Sequence, residues 1–499
     1  MISDRIRKYV SAAIATVAIC ACITLFLVSR KAAYSEVQRR PNILFIVIDT
    51  LRADHLGAYG YSRNVSPTMD AVAVEGVVFE RPISQAPWTK PSMASVFCSQ
   101  YPGIHKVKWI QKQKVTVFDD SFITFTELLR DSGYATAGFS ANELLLRTNG
   151  FGQGFDHYTD INNRERKKEG KVRGDELNAE AIQWLQKLDP KKPFFVYLHY
   201  MDVHGQYYAR DEFVRPLMKE VEAMGSKYEL KASETKRIGS IGKWADPPVS
   251  DHYKQLPEYR KYWSSIDEQY SHLSNYREFW SALYDAGIRE MDYHITALID
   301  RLKEMGLWDE TYVIITADHG EELCERGRWS HGWSLYDTEL FVPLILRWPG
   351  VLPAGRRIGG TVRLIDLMPT LIEQLNLPKV DTPQGRSLVQ DIAGQPPSET
   401  IMAFSEAVKA RPNQWSVYYG DWKLIVDGRK KQSFLYNLAE DLVEQKNLVA
   451  KNPGKLKMLK DMLDEQVRIN KELGAQVRNK EVLITPEQYQ RLKSLGYIE

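Results

Sequence analysis

Cysteine is scarce in this chain: four residues in 499, at Cys20, Cys22, Cys98 and Cys324. The first two fall in an apolar N-terminal run, so the body holds only two. That excludes a disulfide framework and any Cys-based metal spacing. A Cys98–Cys324 bridge is open in an oxidising compartment, but two buried free thiols are the expectation. An excess of one charge is missing as well. The 66 basic and 64 acidic residues leave a net charge of +2. That balance gives no electrostatic case for nucleic acid, whose binders carry a basic excess or stripe. Internal repeats and low-complexity tracts are absent. What remains is an ordinary globular composition, 43% apolar and 26% charged, long enough for one large domain and a smaller one.

One long hydrophobic run is present. Residues 9–28, YVSAAIATVAICACITLFLV, carry no charge, with Arg5, Arg7 and Lys8 before them and Arg30 and Lys31 after. That length just crosses a bilayer. A cleaved signal peptide competes, but its apolar core is usually shorter and ends in a small-residue site not found here. Residues 1–39 are therefore expected to be an N-terminal transmembrane anchor or signal with its linker. Either one places the body outside the cytoplasm, periplasmic or extracellular.

From residue 41 the pattern changes. PNILFIVID is a short apolar run rich in Ile and Val, the mark of a strand buried on both faces. YATAGFSAN (134–142), PFFVYLHY (193–200), YVIITADHG (312–320) and FVPLILRW (341–348) repeat it. FITFTELLRDSG and YDAGIREMDYHITALIDRLKEMG have helical periodicity and end at Gly. Strands alternating with helices predict a doubly wound, mostly parallel α/β sheet sandwiched by helices. The expected domain covers 40–398, with an insertion of helices and loops at about 205–280. A smaller α+β unit follows at 399–475, with antiparallel strands (414–428 and 433–442) and a long helix (453–473). The tail, 476–499, reads as helical, with Thr485 as cap and Pro486 in its first turn.

In such a sheet, ligands bind beyond the carboxyl ends of the strands. Asp49 follows the first run, Asn142 the second, Asp202 and His204 the third, and Asp318 and His319 the fourth. One Asp after a strand often caps a turn; four strands delivering polar groups to one edge make a pocket. Asp49, Asp318 and His319 offer two carboxylates and an imidazole. That donor set suits one divalent metal ion such as Mn²⁺, Zn²⁺ or Mg²⁺, and suits Ca²⁺ less well. A hydroxyl serves as fourth ligand, since a metal lowers its pKa as it does that of water. In APWTKPSMAS (86–95), Thr89 stands at or beside the N-cap of a helix with Pro91 in its first turn.

The segments RPNILFIVIDTLRADHLGAYGY, QAPWTKPSMASVFCSQYP, YVIITADHGEEL and SHGWSLYDTELFVPLILRWPG together resemble the sulfatase family of the alkaline phosphatase superfamily. The resemblance runs from about residue 40 to 450. It implies a metal on Asp49, Asp318 and His319 with Thr89 as nucleophile, and Arg52, Lys90, Asn142, His204 and His331 around the substrate anion. It also makes His331 or His204 a general acid at the leaving group. The departures from the family pattern decide the chemistry expected. Sulfatases oxidise a Cys or Ser in C/S-x-P-S-R to formylglycine, whereas this chain reads TKPSM. Thr carries a methyl on Cβ and cannot become that aldehyde, and Met93 replaces the Arg. Thr50 stands where many members have a second Asp, and Asp-His replaces Asp-Asn after the later strand. This set is similar to the phosphoryl-transferring branches of the superfamily.

The expected activity is therefore cleavage or transfer of a phosphoric ester, diester or monoester, through a covalent Thr89 intermediate. The alternatives are sulfate ester hydrolysis without formylglycine, and a non-catalytic anion-binding member. The expected partners are an anionic ester, whether glycan, lipid headgroup or small molecule, and the membrane through the N-terminal segment.

Overall fold

The computed structural model describes residues 40–110, 114–160, 172–205, 207, 209–225, 277–381, 383–395, 400–407 and 413–486. The apolar run 9–28 and most of the 205–280 insertion lie outside them. Among the described residues no helix is long and apolar enough to cross a membrane.

Eight strands form one sheet: β1 (Asn42–Ile48), β2 (Val77–Ile83), β3 (Ala135–Ser140), β4 (His157–Asp160), β5 (Phe194–Tyr200), β6 (Thr311–Thr316), β7 (Leu344–Arg347) and β8 (Arg356–Arg363). Their spatial order is β8-β2-β7-β6-β1-β5-β3-β4. The central strands β6, β1 and β5 pair in parallel and are buried almost end to end. That is why they read as unbroken apolar runs rather than alternating ones. Only β7 runs against the rest, antiparallel to both β6 and β2. The sheet is thus mostly parallel, as expected, with FVPLILRW giving its antiparallel strand. The link from β6 to β7 holds no helix long enough for a parallel crossover; its one helix is Asp337–Leu340.

Two groups of helices flank the sheet. The first comprises α1 (Pro67–Val74), α4 (Gly174–Leu185), α5 (Asp211–Met224) and α6 (Arg277–Glu304); the second comprises α2 (Thr89–Cys98), α3 (Phe125–Asp131) and α7 (Leu367–Gln374). Helix α6 packs on α1, α4 and α5, whereas α2 packs on α3 and α7. Helix α5 and the first turn of α6 are the described helical parts of the insertion. Local signals hold: Thr124 and Glu127 close a capping box on α3, and Asp292 of α6 accepts the Thr68 and Met69 amides at the start of α1. Cys98 and Cys324 are buried free thiols.

The C-terminal unit is as expected in outline. Strands β9 (Ala403–Ala407), β10 (Gln414–Tyr419), β11 (Trp422–Asp427) and β12 (Gln432–Asn437) form an antiparallel sheet in chain order. Helix α8 (Pro453–Leu473) covers it with buried Leu459 and Leu463. The tail departs from the helical expectation. Glu481–Leu483 is a strand, antiparallel to Lys114–Thr116, which also pairs with Trp109–Ile110. Its period-two side chains lay Val482 against the main core. Residues 487–499 lie outside the described set.

Candidate active site

The carboxyl ends of β1, β3, β5 and β6 converge as the topology requires. Asp49, Thr89, Asp318 and His319 are completely buried, and Asn142, His204 and His331 nearly so. Thr89 is the first residue of α2, with Trp88 at the N-cap and no side-chain cap present. Its hydroxyl does no capping. It turns to the cluster instead, 3.4 Å from Asp49 Oδ2, 3.3 Å from His319 Nε2 and 3.4 Å from the Asn142 amide nitrogen. Asn142 donates more closely to Asp49 Oδ2, at 2.6 Å.

The turn after β1 is unusual. Thr50 has a φ of 62°, the left-handed region that a β-branched residue avoids. There its amide reaches Asp318 Oδ1 at 3.3 Å, joined by the His319 amide at 2.9 Å. Asp318 Oδ2 is left without a hydrogen-bond partner among the described residues, and so is Asp49 Oδ1. These two orphaned oxygens meet His319 Nε2, which lies 3.4 Å from Asp318 Oδ2 and 3.7 Å from Asp49 Oδ1. His319 Nδ1 is 2.9 Å from the Gly320 carbonyl, an acceptor only, so Nδ1 bears hydrogen, and in the neutral ring Nε2 is the lone-pair atom. Three lone-pair atoms thus face one another in a fully buried site, which is unfavourable unless a cation or a proton lies between them. The residues present fit a divalent metal.

The sequence reading did not find His199. It lies on β5, with Nε2 3.0 Å from Asp49 Oδ2 and Nδ1 2.7 Å from the Tyr197 hydroxyl. With Asp49 and Asp318 it also offers atoms within 4.8 Å of one another. A carboxylate only accepts, so His199 Nε2 bears hydrogen toward Asp49. It orients that carboxylate, and His319 is the nitrogen with a free lone pair. The sequence signal was thin: a His inside an apolar strand, not after it.

Electrostatics agree with the geometry. Burial alone would raise the Asp49 carboxyl, but His204, His199 and His319 together hold it well below the usual carboxylate range. Burial and the neighbouring Asp49 push Asp318 the other way, upward. The His331 ring lies tilted 4.4 Å from His319 and edge-on 5.0 Å from His204, centroid to centroid, and its Nδ1 lies 3.3 Å from Glu321. Asn142 is thus brought to Thr89, and His331 to His319 with His204 beyond it. Arg52 and Lys90 face other partners. Arg52 binds Asp54, Glu325 and the Glu321 carbonyl. The buried Lys90 ammonium donates to the Thr116 carbonyl, and burial pushes its pKa down to about 7.

The family model described as Sulfatase matches residues 41–377, and the one described as N-sulphoglucosamine sulphohydrolase, C-terminal, matches 325–472. The chain belongs to the sulfatase family. It is accordingly an enzyme, in a family of ester hydrolases that use a divalent metal. It is 24% identical to N-acetylglucosamine-6-O-sulfatase of Bacteroides thetaiotaomicron over 88% of both chains. With choline-sulfatase of Rhizobium meliloti the identity is 25% over 83% of both. Two solved structures share the sulfatase fold. One, a complex with its substrate D-glucosamine-2-N,6-O-disulfate, is 20% identical with a TM-score of 0.71, covering 87% of this chain and 98% of that one. The other, phosphonate monoester hydrolase of Agrobacterium radiobacter, is 20% identical with a TM-score of 0.63, covering 90% and 100%.

Proposed function

We propose that this sulfatase-family enzyme cleaves or transfers a phosphoric ester, a diester or monoester, through a covalent bond to Thr89. One observation carries the reading: the hydroxyl among Asp49, His319 and Asn142 belongs to a Thr, which formylglycine chemistry cannot use. Asp49, Asp318 and His319, with the Thr89 oxygen, would hold one divalent ion, Mn²⁺, Zn²⁺ or Mg²⁺ before Ca²⁺. When bound, that ion supplies a lower pKa for the hydroxyl and positive charge beside the substrate oxygens.

The chain's own groups do the rest. Thr89 Oγ1 attacks phosphorus, and its proton has Asp49 Oδ2 within reach. As the Oγ1–phosphorus bond forms, the ester bond opposite breaks, and His331 or His204 gives the leaving oxygen a proton. Water or an acceptor alcohol then attacks phosphorus, and the bond to Thr89 breaks in turn. Asn142 keeps Asp49 and Thr89 in register. The apolar run 9–28 supports a body held at a membrane and facing out of the cytoplasm, which protease protection in intact cells would test.

The names of the relatives favour a second reading, a sulfuric ester as substrate. Aryl phosphodiester, aryl phosphomonoester and aryl sulfate turnover by metal-loaded protein separates the two. Phosphate-ester turnover is expected to exceed sulfate turnover, with Thr89→Ala losing at least about a thousandfold. Mass analysis of the Thr89 peptide after a quenched reaction is expected to show a phosphoryl adduct. Full phosphodiesterase activity in Thr89→Ala refutes the proposal.

A further inference from the structure

The turn that carries Asp49 and Thr50 is not held by its own strand alone. The Tyr284 hydroxyl, fully buried on α6, donates to the Thr50 carbonyl at 2.8 Å and accepts the Arg52 amide at 2.9 Å. One oxygen thus bridges both sides of the left-handed turn. The next residue, Asp285, grips the chain further on, accepting from His55 Nδ1 at 2.7 Å, the Tyr61 hydroxyl at 2.6 Å and Arg63 at 2.7 Å. A non-Gly residue at positive φ is strained and persists only where its surroundings over-determine it. Without that conformation the Thr50 amide would leave Asp318 Oδ1, and the backbone that carries Asp49 would no longer fix where its carboxylate starts from.

We propose that Tyr284 is a positioning residue for the metal centre. Its hydroxyl locks the Thr50 turn, and the locked turn aims Asp49 Oδ1 and Asp318 Oδ2 at one point. Tyr284 touches neither the nucleophile nor the reacting atoms; it acts through the backbone of Thr50 and Arg52. This inference rests on the metal-dependent reading above.

The test is Mn²⁺ affinity of the full chain by equilibrium dialysis, with thermal unfolding of the metal-free protein alongside. Tyr284→Phe is expected to weaken Mn²⁺ binding at least tenfold. The control is Tyr312→Phe, which also removes a buried hydroxyl, one bonded to Gln374 at 2.8 Å on β6. It is expected to lower the unfolding temperature while changing Mn²⁺ affinity less than twofold. If Tyr284→Phe does not fold, it is read in a Thr50→Gly background, where glycine removes the strain at positive φ. There the hydroxyl has no strain left to hold, so the double variant is expected to bind Mn²⁺ within about twofold of Thr50→Gly, and a tenfold loss between the two overturns a role through the turn. Wild-type Mn²⁺ affinity in Tyr284→Phe, or an equal loss in Tyr312→Phe, overturns the positioning role and leaves the functional reading standing. A wild-type chain that binds none of Mn²⁺, Zn²⁺ or Mg²⁺ overturns the functional reading, and the positioning role falls with it.

Discussion

Asn142→Asp turns the site's electrostatics into a measurement. The amide nitrogen that it replaces stands 2.6 Å from Asp49 Oδ2. A carboxylate there, about 3 Å from its neighbour at an effective dielectric of about 20, meets roughly 5 kcal/mol of repulsion. It has a cheaper escape, which is to take a proton. Keeping a carboxyl of ordinary pKa neutral at pH 7 costs about 4 kcal/mol, three pH units at about 1.4 each. The smaller figure governs, so the metal-free variant is expected to be less stable than the wild type by about 4 kcal/mol. A divalent ion at Asp49 and Asp318 removes that repulsion, so the penalty returns as affinity. Mn²⁺ is then bound up to about a thousandfold more tightly by the variant than by the wild type. Thermal unfolding in chelator and in MnCl₂ reads both halves, and Mn²⁺ is expected to raise the variant's midpoint more than that of the wild type. A variant that is destabilised but gains no more from Mn²⁺ than the wild type refutes a cation at Asp49.

Two further perturbations probe different parts of the molecule. His331→Gln is expected to slow turnover of an alkyl phosphodiester by about a hundredfold or more, and of a nitrophenyl ester much less, because a good leaving group needs no proton; equal losses on both substrates would remove His331 from the general-acid role. His105, bonded to Ser95 at 2.9 Å, has its pKa pushed down to about 3 by burial. The unfolded chain therefore takes up a proton first as pH falls below about 6.5, and stability drops. From pH 6.5 to pH 5 this one group accounts for about 2 kcal/mol of lost stability. Denaturant titrations at both pH values should show that slope in the wild type and its absence in His105→Gln.

The residues legible in the sequence are those whose position alone defines their place. Asp49, Asn142, Asp318 and His319 each follow an apolar run, and the end of a buried strand is a fixed location in a parallel sheet. His199 escaped notice because its placement depends on which face of β5 meets Asp49, a matter of register between strands. Strand β2, VVFERPI, was hidden by Glu80, Arg81 and Pro82, residues that argue locally against a sheet interior. It forms because β7 on one side and β8 on the other pair with it. Arg52 and Lys90 sit at the expected positions in the chain, but motif position does not tell where a long side chain turns. The carboxylates of Asp54 and Glu325 and the Thr116 carbonyl decided that.

The strand Glu481–Leu483 also says something about how the enzyme is made. Thr116, whose carbonyl receives the ammonium of Lys90, the residue after Thr89, lies on the strand paired with Glu481–Leu483. The Val117 amide next to it donates to the Lys480 carbonyl at 2.8 Å. The helix that presents Thr89 is thus anchored through a stretch translated several hundred residues later. On the ribosome, Lys114–Thr116 keeps that edge unpaired for most of synthesis. The helix that carries Thr89 acquires this support only when that late segment has emerged, so a protein released short of Lys480 would lack it.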